Sequence, residues 1–387
     1  MRVSKRSLAA AAALVLVFLG GFALARVLDR TPSSASAQNQ VDRYRQVLTD
    51  LERNYYKPVD AAKLGQAGIA AMIASLHDPY TVYFSPQQAK QFGQELSGTY
   101  SGIGIAVVPK AGRLTVMKVF PGSPAAQARI VPGEVIVSVD GVSTAGQSES
   151  TTVARIAGPA GSTVRLQLRR SAASRPIDLT LKRRSISLPL TTSRLLRDHG
   201  MKVGYVALSS FSQGAGRRVR QAIAGLQRRG ARWIVFDLRD NGGGLVSEAG
   251  SVASDFLPAG KTVATMQGLH SARDVVKTSG GAPTRLPLVV LVNGNTASAS
   301  EIVTGALQDY RRATIIGTRT FGKGVVQTVL PLSGGAELKI TIAAYRTPLG
   351  RDINHKGLEP SIVVGRHAGA GTDTTLTRAL RFIATGR

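Results

Sequence analysis

Two short runs carry residue types that can do covalent chemistry. The first is Thr296-Ala297-Ser298-Ala299-Ser300-Glu301-Ile302, which follows the apolar segment Leu288 to Val292. A serine at the mouth of a helix presents its hydroxyl beside backbone N–H groups that lack intrahelical partners. That is a place for a nucleophile and for the oxyanion it would create. Ser298-x-x-Glu301 equally fits a capping box, in which the serine only closes the helix end. The second run is Thr320-Phe321-Gly322-Lys323-Gly324-Val325-Val326-Gln327. A lysine between two glycines, beside apolar neighbours, can be desolvated; burial lowers its pKa and makes the neutral amine available as a general base. The competing reading is a solvated loop lysine. Gly317 to Lys323 also matches the phosphate-loop pattern G-x-x-x-x-G-K. The next residue is Gly324, where Ser or Thr would be needed to hold magnesium, and a strand follows, so phosphate binding is set aside.

Other chemistries are excluded by what the chain lacks. There is no cysteine, hence no thiol nucleophile, disulfide or Cys-ligated metal. The five histidines (His77, His199, His270, His355, His367) are scattered and no H-E-x-x-H occurs, so neither a metal nor a cofactor is expected. Nothing around His270 or His355 supports a Ser-His-Asp triad. The net charge of +26 is spread along the chain, in pairs such as Arg169-Arg170, Arg183-Arg184, Arg217-Arg218 and Arg311-Arg312. Without a zinc finger or interleaved aromatics, no specific nucleic-acid partner is expected. A genome-wide arginine bias, or life near an anionic membrane or wall surface, explains the charge more cheaply.

The elements that must position these residues follow from periodicity and punctuation. In 387 residues with 43% hydrophobic content, two to three domains are expected. Arg2, Lys5 and Arg6 precede Leu8 to Ala25, an uncharged apolar run, which reads as a signal peptide or a retained single-pass anchor (residues 1–30), with the anchor favoured. Cleavage after Ala23-Leu24-Ala25 or Ala35-Ser36-Ala37 is the alternative. Either way the remainder is expected on the extracytoplasmic side of the cytoplasmic membrane, in a periplasm or cell envelope. Residues 31–40 read as a small-polar linker and 41–92 as helical, with Val47, Leu51 and Tyr55 on one face and Leu64, Ile69, Met72, Ile73 and Leu76 on another. These helices leave a homo-oligomer contact open. Residues 93–185 read as short strands and turns, 186–365 as alternating strands and helices, and 366–387 as a tail with a helix from Asp373 to Ala384. The core strands expected are Val203–Leu208, Trp233–Leu238, Leu288–Val292, Ala313–Ile316, Val325–Leu330 and Glu337–Ala344, with helices at Ala215–Leu226 and Ser298–Leu307.

Within 93–185, Gly102-Ile103-Gly104-Ile105 leads a strand, Pro121-Gly122-Ser123-Pro124 turns into a short helix, and Pro132-Gly133-Glu134-Val135-Ile136-Val137-Ser138-Val139-Asp140-Gly141 follows. Successive N–H groups at a glycine-led turn can hold a carboxylate, and the strand beyond can accept a peptide as an added strand. Together these motifs resemble a PDZ domain. Two departures are Glu134, where such domains of proteases usually have Asp, and Ala128-Arg129, where Ala-Gly is common. Gly102, Ile103, Gly104 and Ile105 are the implied peptide-binding residues.

Nearly everything after the linker resembles the carboxyl-terminal processing (tail-specific) proteases. The motifs are S-L-H-D-P-Y-T, the PDZ unit, V-G-Y-V-A-L-S-S-F, F-D-L-R-D-N-G-G-G-L, A-S-A-S-E-I-V-T-G-A-L-Q-D-Y and T-F-G-K-G-V-V-Q, in order. The resemblance implies an α/β catalytic core of the crotonase/ClpP-like type with an N-terminal helical segment and an inserted β-rich PDZ domain. It implies a serine endopeptidase working through an acyl-enzyme. The nucleophile falls on Ser298 rather than Ser300, the general base on Lys323, and the residue orienting the lysine on Gln327. The implied oxyanion hole is the amides of Gly244 and Ala299, with Gly243 left open beside Gly244. Asn354-His355-Lys356-Gly357 departs from a more glycine-rich run, which bears on fine specificity. The partners implied are proteins with free, apolar C-termini. A catalytically silent PDZ scaffold is the rival reading, distinguished by turnover.

Overall fold

The computed structural model describes residues 35–110, 113–147, 149–170, 174–365 and 373–386. The chain forms two compact units, one from residues 1–90 with 191–387 and one from 91–190.

The first unit begins with helices α1 (Ala35–Asn54) and α2 (Ala61–Ala74). Asp60 caps α2, its carboxylate accepting from the amides of Ala62 and Lys63. Helix α1 occupies the second half of the stretch expected to be a linker. The small residues from Ala35 onward carry no turn-former strong enough to stop the helix that Val41 and Val47 propagate. The apolar run 8–25 lies outside the described residues; among those described, no helix is long and apolar enough to cross a membrane. The expected apolar faces form but are not buried among the described residues. No residue of α2 is buried, and Val41, Tyr44, Val47, Leu51, Met72 and Leu76 stay exposed. The helices meet where the Tyr44 ring covers Gly68 and its hydroxyl donates to the Gly65 carbonyl at 3.1 Å. Strand β1 (Val82–Phe84) and helix α3 (Pro86–Ser97) follow.

In the second unit come strands β2 (Thr99–Gly102), β3 (Ile105–Lys110) and β4 (Arg113–Val119), the short helix α4 (Pro124–Gln127), then β5 (Val135–Val139) and β6 (Val142–Ser143). Helix α5 (Glu149–Ile156) and strands β7 (Thr163–Arg169), β8 (Ile177–Lys182) and β9 (Arg184–Ser187) complete it. Strands β3-β4-β5-β7-β8 form one sheet in that order, and β2 pairs with β9 apart from it. Ile103, Val116, Ile136, Val139, Val164 and Leu166 are the centre of a core of its own.

The first unit resumes with β10 (Thr191–Asp198), β11 (Met201–Leu208), α6 (Ala215–Arg228), β12 (Trp233–Asp237), α7 (Val246–Ala253), β13 (Thr262–Gln267) and β14 (Asp274–Lys277). It ends with β15 (Leu288–Val292), α8 (Ala299–Asp309), β16 (Thr314–Gly317), β17 (Val325–Pro331), β18 (Glu337–Arg346), β19 (Ile362–Val363) and α9 (Thr374–Thr385). The main sheet runs β10-β11-β12-β15-β16-β19, parallel from β11 onward. All five residues of β15 are buried, as a strand covered on both faces requires. Helix α6 buries Val219, Ile223 and Leu226, spaced to lie on one face. Helix α9 buries Leu376, Ala379 and Ile383 in the same core as Val235 and Leu291, so the expected tail is part of the fold. A second sheet runs β1-β18-β13-β14, with β17 also on β18.

Candidate active site

Ligand sites in parallel sheets gather at the carboxyl ends of the strands. Strands β12, β15 and β16 are adjacent and parallel, so the loops after them share one end of the sheet. Those loops carry the glycine turn, the serine run and the lysine run. They are tied together by hydrogen bonds. Asp240 Oδ1 accepts from Asn293 Nδ2 (2.9 Å) and Asn295 Nδ2 (2.8 Å), and these bonds hold its carboxyl below the usual range. The Thr296 hydroxyl donates to the Leu238 carbonyl at 2.8 Å, and the Phe321 amide donates to the Thr296 carbonyl at 3.0 Å.

Ser298 stands at the mouth of α8 with φ 57° and ψ −119°. That is not the extended conformation of an ordinary cap residue, and for a non-glycine residue it costs about 1–3 kcal/mol. Glu301 explains how it persists. Its fully buried carboxylate accepts four hydrogen bonds, two of them on Oε2 from the Ser298 and Lys323 amides, both at 2.9 Å. The other two, on Oε1, come from the Thr320 hydroxyl (2.6 Å) and the Gly322 amide (2.8 Å). The capping-box glutamate therefore closes the helix and also clamps the serine backbone to the lysine loop. Tyr345, buried on β18, is a second clamp: its hydroxyl lies 2.7 Å from the Lys323 carbonyl and 3.2 Å from that of Ser298. Ser300 is fully buried and donates to the Asn241 carbonyl at 3.0 Å, whereas Ser298 is partly exposed.

The glycine turn lies against the serine. Gly243 has φ 97°, and a Cβ on it would come 2.8 Å from Ser298 Cβ and from the Ala299 nitrogen. Its own amide donates to Asn241 Oδ1 at 2.9 Å. Among the described residues, the amides of Gly244 and Ala299 have no acceptor, so of the two glycines left open by the sequence Gly244 has the free donor. Gly244 is held at φ 144° by a bridge to Phe211, whose amide donates to the Gly243 carbonyl and whose carbonyl accepts from Leu245.

Lys323 is half-buried. Gly322 and Gly324 flank it because the turn Asn354–Gly357 runs against both, and a Cβ on either would overlap backbone within 2.8 Å. Asn354, where the sequence departs from the expected glycine-rich run, uses its Oδ1 to accept the Gly324 amide at 3.1 Å. Burial, then the positive charge of Lys339, pushes the Lys323 pKa down, against the opposing pull of Asp78 and Glu301. Its Nζ lies 4.7 Å from the centre of the Tyr80 ring. Gln327, on β17 at a register shift, donates to the Thr341 hydroxyl at 3.2 Å. The segment Asp78–Thr81 joins the same group. Asp78 accepts from the Thr81 hydroxyl (2.6 Å) and the Tyr80 amide (2.9 Å), and the Thr81 hydroxyl accepts from the Thr341 amide (3.2 Å). Burial works against the Asp78 charge. These hydrogen bonds, with one to Thr341 and the nearby Lys323, outweigh it and lower its pKa.

The peptide-binding candidates lie in the second unit. Gly102 ends β2, Ile103 is buried, and Ile105 opens β3. Gly104 has φ 80°, and a Cβ there would overlap Ser123. The carbonyls of Ile103 and Gly104 accept from Ala125 and Phe120, while among the described residues their amides have no acceptor. Among the described residues, strand β3 is at the edge of its sheet, pairing with β4 alone, and α5 packs beside it. Of the departures, Glu134 is buried and paired to Arg170 at 2.9 Å, and Arg129 takes φ 58°, the left-handed conformation a glycine would adopt freely.

The structure thus brings Ser298, Ala299, Gly244 and Lys323 into one cluster with Gln327 on its flank. Sequence reasoning missed Tyr345, Thr341, Asp78 and Tyr80 as parts of it. The run His77-Asp78-Pro79-Tyr80 was legible as part of the motif S-L-H-D-P-Y-T, without its place beside Lys323. For Glu301 the signal was present as the capping box, without its reach to the lysine loop.

Comparison with known proteins places the chain in a family. Residues 202–364 match the model of peptidase family S41, residues 101–181 that of the PDZ domain, and residues 23–87 that of the activating protease CtpB N-terminal domain. The chain is 34% identical over 330 residues to the carboxy-terminal processing protease CtpA of Bacillus subtilis, covering 85% of this chain and 70% of that one. It is 37% identical over 316 residues to the carboxyl-terminal-processing protease of a Synechocystis species, covering 81% and 74%. Among solved structures, the photosystem II D1 C-terminal processing protease superposes with a TM-score of 0.51 at 31% identity, covering 89% of this chain and 95% of the other.

Proposed function

The chain belongs to the carboxy-terminal processing proteases, serine peptidases of family S41 that carry a PDZ domain, and from that premise we propose an exported endopeptidase with a Ser298/Lys323 pair. The PDZ domain captures the free, apolar C-terminus of a protein, its carboxylate at the amides of Ile103 and Gly104 and its chain added along β3. The neutral amine of Lys323 takes the proton of Ser298 as Oγ attacks the scissile carbonyl. The amides of Gly244 and Ala299 receive the oxyanion. The amine then releases its proton to the leaving group and activates the water that hydrolyses the acyl-enzyme. Gln327 orients the lysine; its Nε2 is committed to Thr341, and its Oε1 is left to accept from the amine. The observation that carries this reading is the Glu301 carboxylate joining the Ser298 and Lys323 amides. Export and membrane anchoring rest on residues 1–30, and the exposed stripe of α1 is the surface on which a homo-oligomer would form.

The test is cleavage of an unfolded protein with an apolar C-terminus. Wild type and Ser300→Ala should cut, and Ser298→Ala and Lys323→Ala should not. Tail binding without turnover in wild type would instead establish the silent scaffold.

A further inference from the structure

We propose that Tyr80 is a positioning residue for Lys323: its ring is the seat on which the charged side chain rests, and which the amine leaves to reach Ser298. The inference rests on the Ser298/Lys323 reading above. The ring and the ammonium are 4.7 Å apart, within the range of a cation–π contact. Among the described residues, Lys323 Nζ has no hydrogen-bond acceptor and no ion-pair partner. Gln327, the residue expected to orient it, turns its Nε2 to Thr341. The contact that defines where the charged end lies is therefore the ring.

The seat is built rather than incidental. Tyr80 is fixed at its amide by Asp78, and Thr81 beside it is bonded to Asp78 and to the Thr341 amide. Strand β1 then pairs with β18, placing Val82 opposite Lys339. Strand β18 also carries Thr341 and Tyr345 and pairs with β17, which starts two residues beyond the lysine. The ring is thus tied to the same strand that holds Gln327 and the Lys323 carbonyl. The groups facing Lys323 are Asp78 and Tyr80 from this segment, Glu301 from α8, and Lys339 and Tyr345 from β18. Asp78 and Glu301 favour the ammonium, Lys339 disfavours it, and the π face of Tyr80 attracts it until the amine loses its proton.

A general base must be neutral, so a seat for the cation holds the lysine inside the site in its resting form and sets the pH at which it is released. Removing the ring's π face favours the neutral amine. The acid limb of kcat/KM for the full-length protein should move to lower pH by roughly 0.5–1.5 units in Tyr80→Leu, raising the rate below the limb by about 3- to 30-fold. Tyr80→Phe should keep the limb within about 0.3 unit of wild type, since it keeps the ring. Because Tyr80→Leu removes a packed ring and can impair folding, a second series carries phenylalanine with zero, one, two and three ring fluorines at position 80. Shape is nearly constant there and the quadrupole weakens stepwise, so the limb should step down with each fluorine. A limb that does not move along that series overturns the seat. Ser298→Ala and Lys323→Ala run beside it: activity surviving in either would overturn the Ser/Lys reading itself, whereas loss in both with an unmoved limb overturns only the role of Tyr80.

Discussion

At the scale of single residues, the candidate site is held by the Glu301 carboxylate and the phenols of Tyr345 and Tyr80, which do no bond-making. Glu301 is buried with four donors around it, and an uncharged amide in its place would set an NH2 group against some of them. Glu301→Gln should lower kcat by about 10²-fold or more and lower thermal stability, because each buried donor left unpaired costs about 1–3 kcal/mol. Steady-state kinetics beside a melting curve checks this, and near-normal kcat would remove Glu301 from the clamp. Gly243→Ala should lower kcat about 10²-fold through displacement of the Gly244 amide, since a methyl would overlap the Ala297 carbonyl and the Ala299 nitrogen. The electrostatics of Lys323 give a signed expectation. Its pKa is lowered by burial and by Lys339, so kcat/KM should climb with pH around a midpoint below the ordinary lysine value of about 10.4. Lys339→Gln removes a charge that disfavours the ammonium. The limb should then shift to higher pH, and activity on its rising part should fall.

At the scale of elements, three neighbouring parallel strands deliver three loops to one sheet end, helix α6 packs against β10 and β11 of that sheet, and α7 packs against α6 and α8. Asp255, just after α7, pairs with Arg220 of α6 at 2.7 Å, but its Oδ2 has no partner among the described residues. Burial, only partly offset by Arg220, raises its pKa to about 6. A carboxyl whose folded pKa lies above its unfolded value of about 3.9 contributes stability that is complete below pH 4 and is lost as pH rises through about 6. The melting temperature of wild type should therefore decline between pH 4 and pH 7 relative to Asp255→Asn. Parallel melting curves for the two across that range would settle it. Most of these elements were legible. Leu288–Val292 is an apolar run long enough for a strand and too short for a helix, and α6 shows its buried stripe in its spacing. Strands β13 and β14 and helix α7 were not. The two strands are short and their buried positions do not alternate, and α7 buries Ala249, Gly250, Val252 and Ala253, residues too small to mark an apolar stripe.

At the scale of the whole molecule, each unit has a core of its own. Ile136 is at the centre of the one in residues 91–190, with no exposed surface. Ile136→Ala should destabilise that unit by about 2–5 kcal/mol, leaving the transition of the other unit in place. Calorimetry reads this directly, and a single transition shifted as a whole would mean that the two units unfold together. The sequence by itself determined the order of domains, the serine at a helix mouth, the lysine between glycines and the glycine turn. These are local properties, set by backbone sterics and spacing over a few residues. Only the tertiary structure decided that Glu301 holds four donors, that Gly244 rather than Gly243 has the free amide, and that Tyr80 lies under Lys323. The reason is physical: these contacts join positions up to hundreds of residues apart in the chain. The pairing of β1 on β18 and the parallel run β12-β15-β16 create them, and no local pattern encodes which distant side chain a fold will bring to a given atom.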